Sequence, residues 1–201
     1  CNPNLSDVPT TYTRDYEQVL GVWTNEILDK FSTASLVGYN AFETPAFAPT
    51  LKKHEFTSQL AMMSFLNTSA TANPNMHLFS LGKTANYQFD MPIVVFTASA
   101  VPSGAKFDDV AKIIRNNGKL NVWYQAQIHP NEPASGEAAL AMIKEMAGAY
   151  GTEVLKKINL IVIPRMNPDG SYLFTRATYG GFDMNRDHMR IQAVELDYVH
   201  R

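Results

Sequence analysis

Lys119-Leu120-Asn121-Val122-Trp123-Tyr124-Gln125-Ala126-Gln127-Ile128, running into His129-Pro130-Asn131-Glu132-Pro133, is the stretch on which the fold turns. An apolar run of strand-forming residues ends at Ile128 and a helical pattern begins within a few positions. Ala139, Ile143, Met146 and Tyr150 then recur at helical spacing and mark one buried face, with Glu137, Lys144 and Glu145 opposite. Pro133 sits where a first helical turn tolerates proline, and Gly151 is placed to end the helix. Ile158 to Ile163 is a second apolar run, stopped by Pro164. Strand, helix, strand is the crossover of a parallel pair and should be right-handed. Ligands of open α/β sheets gather beyond the carboxyl ends of such strands, so His129 and the segment Arg165 to Gly170 are expected to face one crevice.

The chemistry of that junction points to a metal. A catalytic zinc is usually held by three protein donors drawn from imidazole nitrogen and carboxylate oxygen, with a fourth position left for water. His129 and Glu132 would supply two of the three, provided the backbone turns between them, and the prolines at 130 and 133 favour such a turn. The third donor must come from elsewhere.

Working outward, Pro92 to Ala98 carries the continuous apolar run Ile93-Val94-Val95-Phe96, the pattern of a strand covered on both faces. Met76 to Leu81 precedes it across a short connection and is expected to pair with it in antiparallel fashion. Residues 107–115 predict a short helix, and 51–66 a longer one with Phe56, Leu60 and Met63 at helical spacing and a polar exit over Asn67 to Asn75. Tyr12, Tyr16, Val19, Leu20, Trp23, Ile27, Leu28 and Phe31 form a further helical stripe. Pro45 and Pro49 then break the pattern, which divides the chain into an N-terminal tether and helical extension over 1–50 and a catalytic-type domain over 51–201.

Composition narrows the function classes. A chain of 201 residues with 45% apolar content suits one domain with an appendage, and a net charge of −2 without like-charge blocks gives no footprint for nucleic acid. No apolar run approaches the roughly 18 residues needed to cross a bilayer. Cys1 is the only cysteine, so no intrachain disulfide can form. A mature bacterial lipoprotein begins with a lipidated cysteine and a polar tether of the Asn2-Pro3-Asn4-Leu5-Ser6-Asp7 kind. A lipid anchor at Cys1, and hence a place in the cell envelope as a periplasmic lipoprotein, or else secretion, are the expectations; an arbitrary start is the ordinary alternative.

His129-Pro-Asn-Glu132, Asn167-Pro168-Asp169-Gly170, Arg176 and Gly181-Phe182-Asp183-Met184-Asn185-Arg186, in that order, resemble the signatures of the zinc carboxypeptidase family of carboxypeptidase A type. The resemblance runs from about residue 51 to 201 and includes Gly82-Lys83-Thr84; it does not cover 1–50. It implies a three-layer α/β/α fold around a mixed, mostly parallel sheet, incomplete in this chain. It further implies that zinc is the cofactor, with His129 and Glu132 as ligands. Arg176 would support the carbonyl oxygen as it gains charge, and Asn185 with Arg186 would grip the free carboxylate of a peptide substrate. The activity implied is hydrolysis of the C-terminal peptide bond by a zinc-activated water. The family's third ligand, a His, and its catalytic Glu have no counterpart here and are expected beyond residue 201, so this piece alone should be a poor catalyst.

Each assignment has a plainer competitor. Arg186 would otherwise pair with Asp183 or Asp187 at the surface, Arg165 competes with Arg176 for the oxyanion role, and Asn167-Pro-Asp-Gly is most simply a scaffolding tight turn. Asn131 shapes the turn or hydrogen-bonds behind a ligand. His54, His77, His188 and His200 look ordinary, and Trp123 and Tyr124 are core by default. For the whole protein the alternatives are a cell-wall peptide amidase of the same family, a non-catalytic peptide-binding relative, and a zinc deacylase of small acyl-amino acids.

Overall fold

The computed structural model describes residues 11–13 and 55–201. The Tyr16–Phe31 stripe, the tether with Cys1, the break at 45–49 and His54 lie outside the described residues. The elements are β1 (Thr11–Thr13), β2 (Glu55–Thr57), α1 (Gln59–Ala72), β3 (Met76–Lys83), β4 (Asp90–Phe96), α2 (Phe107–Asn116), β5 (Leu120–Gln125), α3 (Ala134–Met146), α4 (Ala149–Val154), β6 (Ile158–Ile163), α5 (Pro168–Leu173), a 3-10 turn (Met184–Arg186) and α6 (Val194–His200).

The central sheet has the order β3-β4-β6-β5. It is mixed, as expected, although among the described strands only β5 and β6 run parallel; β3 with β4 and β4 with β6 are antiparallel. The alternation along β4 and β6 sorts the layers, because successive side chains of a strand point to opposite faces. Val94, Phe96, Leu160 and Val162 pack under α1 and α3, against Met62, Leu66, Leu140 and Ile143. Ile93 and Ile163 face the other way, towards Met166, Met184 and Leu196 of α6 and the loops before it, and Val95 packs with Val110 and Ile114 of α2. Helices thus cover both faces, giving the three-layer α/β/α arrangement.

Several local expectations change. Residues 55–57 are not helical: β2 pairs antiparallel with β1, Phe56 opposite Tyr12, so Tyr12 is in a strand too. The helix starts only after Ser58, whose hydroxyl accepts from the Ala61 amide as an N-cap. It then runs on to Ala72, with Asn67 and Thr71 bonded back to carbonyls four residues earlier. Tyr150 does not join the buried face of α3, being 64% exposed. That helix closes at Ala147, and Gly148 starts α4, within which Gly151 lies, so Gly151 is not the terminator. Trp123 is 45% and Leu120 75% exposed; among the described residues β5 pairs with β6 alone and ends the sheet.

At the amino end of the parallel pair sits a buried amide cluster. Asn159, fully buried on β6, accepts from Thr97 Oγ1 at 2.8 Å and exchanges bonds with the Asn117 side chain in both directions, at 3.0 and 3.1 Å. Its amide also donates to Asn121 Oδ1 at 2.8 Å, across from it in register. A buried carboxamide costs stability unless satisfied, and this one is.

Candidate metal centre

The site forms where β5 and β6 end. The parallel ladder continues past both strands, through the Ala126 amide to Ile163 O at 2.9 Å and the Met166 amide to Ala126 O at 3.0 Å. Gln127 then adopts a left-handed backbone, φ 54°, which turns the chain out of the sheet. Its buried side chain holds that turn: Nε2 donates to Pro130 O at 3.0 Å and Ser171 Oγ at 3.1 Å, and Oε1 accepts from Arg165 Nε at 2.8 Å. The Glu132 amide closes the turn on His129 O at 3.0 Å. His129 and Glu132 are thereby brought to one side, with His129 Nδ1 3.4 Å from Glu132 Oε1.

Asn167-Pro-Asp-Gly is more than a tight turn. It is the start of α5, with Asn167 as N-cap accepting from the Gly170 amide at 2.9 Å and Pro168 in the first turn. Asp169 is fully buried and accepts from Thr84 Oγ1 at 2.6 Å, the Asn86 amide at 2.8 Å and the Tyr87 amide at 3.3 Å, which ties the β3–β4 connection to this helix. Gly170 faces the metal-side turn so closely that a Cβ there would lie 2.5 Å from Pro130 Cγ and 2.5 Å from Ala177 O. The two segments expected to share a crevice therefore touch.

Arg176 lies across both candidate ligands. Its Nη1 is 3.0 Å from Glu132 Oε1, its Nη2 2.9 Å from His129 Nε2, and its Nε 3.1 Å from Asp183 Oδ2. Arg165 is no competitor: it is buried and spends its guanidinium on Gln127, Thr57 O at 2.6 Å and Gln59 Oε1 at 3.3 Å. Asp183, expected only as an alternative partner of Arg186, stands instead beside His129 and Arg176. Its Oδ1 is 3.4 Å from His129 Nε2 and caps the 3-10 turn by accepting from the Asn185 amide at 3.0 Å. Burial pushes its carboxyl up, but the hydrogen bonds from Arg176 and Asn185 and the nearby charges of Arg176 and His129 outweigh this and hold it below the ordinary carboxylate value. A carboxylate behind the imidazole of a metal ligand is a general pattern that could have drawn attention to it.

Asn185 and Arg186 are both exposed on that turn, while Met184 between them and Asp183 is buried and anchors it. Arg186 pairs with neither of the acids expected as alternatives. Asp183 is engaged by Arg176, Asp187 caps the amides of Gln192 and Ala193 at 2.7 and 2.8 Å, and Arg186 Nη1 reaches only Asn185 O at 3.2 Å. Asn131 Oδ1 is buried without a hydrogen-bond partner, so it does not orient a ligand in this structure. His188 and His200, far apart in sequence, meet with Nδ1 and Nε2 3.0 Å apart. His77 lies on β3, its Nε2 buried without a partner, and burial lowers its pKa.

Imidazole nitrogen and carboxylate oxygen are the donor types zinc selects. Among the described residues no cluster of three or more His, Cys, Asp or Glu side chains is arranged to hold a metal. His129 and Glu132 fit as part of a site, with Asp183 behind the imidazole.

The fold recurs in thrombin activatable fibrinolysis inhibitor, with a TM-score of 0.61 at 14% identity over 88% of this chain and 49% of that one. It recurs also in a metallo-carboxypeptidase from Burkholderia cenocepacia, with a TM-score of 0.53 at 22% identity over 70% and 36%. These likenesses define an α/β protein of the carboxypeptidase fold. Residues 62–196 match the sequence profile of the family described as zinc carboxypeptidase, and the chain belongs to that family. Carboxypeptidase 2 of Trichophyton tonsurans is 40% identical over 75 residues, 36% of this chain; the matched stretch is 14% of that relative's length.

Proposed function

We propose that the protein is a zinc-dependent carboxypeptidase that hydrolyses the last peptide bond of peptides with a free C-terminus. The observation that carries this is the convergence of His129 and Glu132 at the end of β5, with Arg176 and the Asn185-Arg186 turn on the same rim. His129 and Glu132 would hold the metal, and a further donor and a general base would come from outside the described residues. Zinc, when bound, lowers the pKa of a coordinated water to about 7 and polarises a carbonyl. Arg176 would donate to the carbonyl oxygen as charge develops there. Arg186 offers a planar fork free of any acidic partner among the described residues, suited to a carboxylate, and the exposed Asn185 amide adds a donor.

Full-length protein should bind zinc through His129 and release single amino acids from the C-termini of a peptide mixture, with free-acid peptides cut much faster than amidated ones. Arg186→Ala should erase that preference, at a cost of roughly 2–5 kcal/mol for a desolvated pair. Equal cleavage of amidated peptides by the wild type would refute the role of Arg186 and favour an amidase. No hydrolysis by a zinc-loaded protein would favour a binding relative instead. Anchoring at Cys1 in the cell envelope belongs to this proposal on sequence grounds, and fatty-acid labelling in the native host tests it.

A further inference from the structure

We infer that the cationic rim continuing from Arg186 to Arg190 recognises a second carboxylate of the substrate, so that peptides whose last residue carries an acidic side chain are the preferred class. The inference rests on the carboxylate-gripping role proposed for Asn185 and Arg186. Its basis is the sorting of charge over residues 183–201. Four carboxylates lie in this stretch, and each is engaged elsewhere than at the rim. Asp183 is held by Arg176, and Asp187 is buried and accepts from the amides of Gln192 and Ala193. Glu195 is buried on α6 and accepts from the Ala85 amide at 3.2 Å, while Asp197 pairs with Arg201 on the same helix. On β3, against which α6 packs through the Tyr198 hydroxyl on Lys83 O, the Lys83 amine is itself taken by Asp90 at 2.7 Å. Arg186 and Arg190, by contrast, are both exposed and pair with no acidic side chain among the described residues. Acids turned inward and guanidiniums turned outward leave a positive local field where the terminal carboxylate would sit.

The rim is also held in shape. Two successive turns separate the arginines: the Asp187 amide donates to Met184 O at 3.2 Å, and the amides of Arg190 and Ile191 both donate to Asp187 O, at 3.0 and 2.7 Å. The Cα atoms of Arg186 and Arg190 therefore stand well inside the roughly 14 Å that four extended residues would span. Ile191 has a φ of 53°, a left-handed backbone that a β-branched residue adopts only where its surroundings impose it. The carbonyl and carboxylate of Asp187 impose it here. His188 and His200, 3.0 Å apart, fasten the same loop to the last turn of α6. Asp187 thus withdraws its own charge from the rim and fixes the loop that presents Arg190. A side-chain carboxylate on the last residue of a peptide is only a few bonds from the terminal one, so a substrate held by Arg186 brings it to the loop that Arg186 opens.

Zinc-loaded full-length protein tests this on two peptides that differ only in ending with Glu or Gln. The Glu peptide should have the higher kcat/KM by roughly two- to fivefold, the range of an exposed ion pair, and the gap should close towards about 1 M salt, where screening acts within about 3 Å. Arg190→Gln should abolish the difference, Arg190→Glu should invert it, and Arg190→Lys, which keeps the charge, should retain it. Lys156→Gln removes a cation that pairs with Glu153 and should leave the ratio as it is. Equal rates on the two peptides by the wild type, a ratio indifferent to salt, or a ratio that survives Arg190→Gln overturns the inference and leaves the carboxypeptidase reading standing. Failure of the wild type to cut either peptide refutes that reading, and the inference with it.

Discussion

Replacing Gly170 by alanine should loosen the metal turn from behind. A Cβ at this position would stand 2.5 Å from Pro130 Cγ, 2.5 Å from the backbone oxygen of Ala177 and 2.9 Å from Asn167 Oδ1. Ordinary contacts between such atoms start near 3.5 Å, so Pro130 or the Ala177 backbone must retreat by about 1 Å. Pro130 is a stiff ring next to His129, and Gln127 already grips its carbonyl, so the displacement passes to the ligand turn. Overpacking of this kind costs about 1–3 kcal/mol. For a chain of this size that is a fall in Tm of about 2–12 °C. Zinc affinity should drop roughly 10- to 100-fold, the range seen when groups that orient ligands are lost. Gly148→Ala is the control, since its nearest atom would be at 3.4 Å and its φ of −96° suits any residue. Thermal unfolding and chelator competition on both variants decide the matter. A Gly170→Ala protein with wild-type Tm and wild-type zinc affinity would refute the coupling between the two motifs.

Gln127→Ala removes an acceptor from the buried guanidinium of Arg165 and the clamp on Pro130 O; denaturant unfolding should show a loss of about 1.5–3 kcal/mol, as for a hydrogen bond to a charged group. A change below about 0.5 kcal/mol, the level of an ordinary surface substitution, would contradict it. Glu195 is buried, and burial raises its carboxyl pKa; its own amide and that of Ala85 pull it back part-way, and Asp169 pushes it further up. The folded state therefore holds this proton more tightly than the unfolded chain, and its contribution to stability declines as pH rises from the ordinary carboxylate range into the raised folded value. Glu195→Gln should remove that decline, so its Tm relative to wild type should rise as pH climbs above the ordinary carboxylate range. A difference independent of pH would show that Glu195 does not titrate with a raised value.

How much of this was legible depended on whether a residue's surroundings were local. The crossover from β5 through α3 to β6 could be read because apolar periodicity changes sharply at His129, and Ala139, Ile143 and Met146 are buried as their spacing requires. Trp123 misleads for a physical reason: its strand has the composition of a covered one, but exposure is set by what packs on its faces and beside it, and among the described residues β5 pairs with β6 alone. Tyr150 keeps the helical phase while the helix itself has already broken at Gly148. At the site, the order of motifs named His129, Glu132 and Arg176, and the structure gathers them. The place of Asp183 beside His129 escaped because the carboxylate acts across more than fifty residues of chain, on an imidazole it does not resemble in any sequence pattern. Asn167-Pro-Asp-Gly looked like a turn because its opening residues serve turns and helix starts equally well; only the burial of Asp169 separates the two.

The amide cluster around Asn159 acts as a ruler for the opposite end of the sheet. Side chains alternate along a strand, so sliding β6 by one residue against β5 would push Asn159 into an apolar layer and part it from both Asn121 and Asn117. Apolar contacts tolerate small sliding; a carboxamide bonded to the side chains of Thr97, Asn117 and Asn121 does not. The distance from this ruler to Gln127 is a fixed number of residues on a paired strand, so choosing the register at one end also chooses where His129 leaves the sheet at the other. Polar groups sealed at the floor of the fold thus set the address of the metal ligands at its rim.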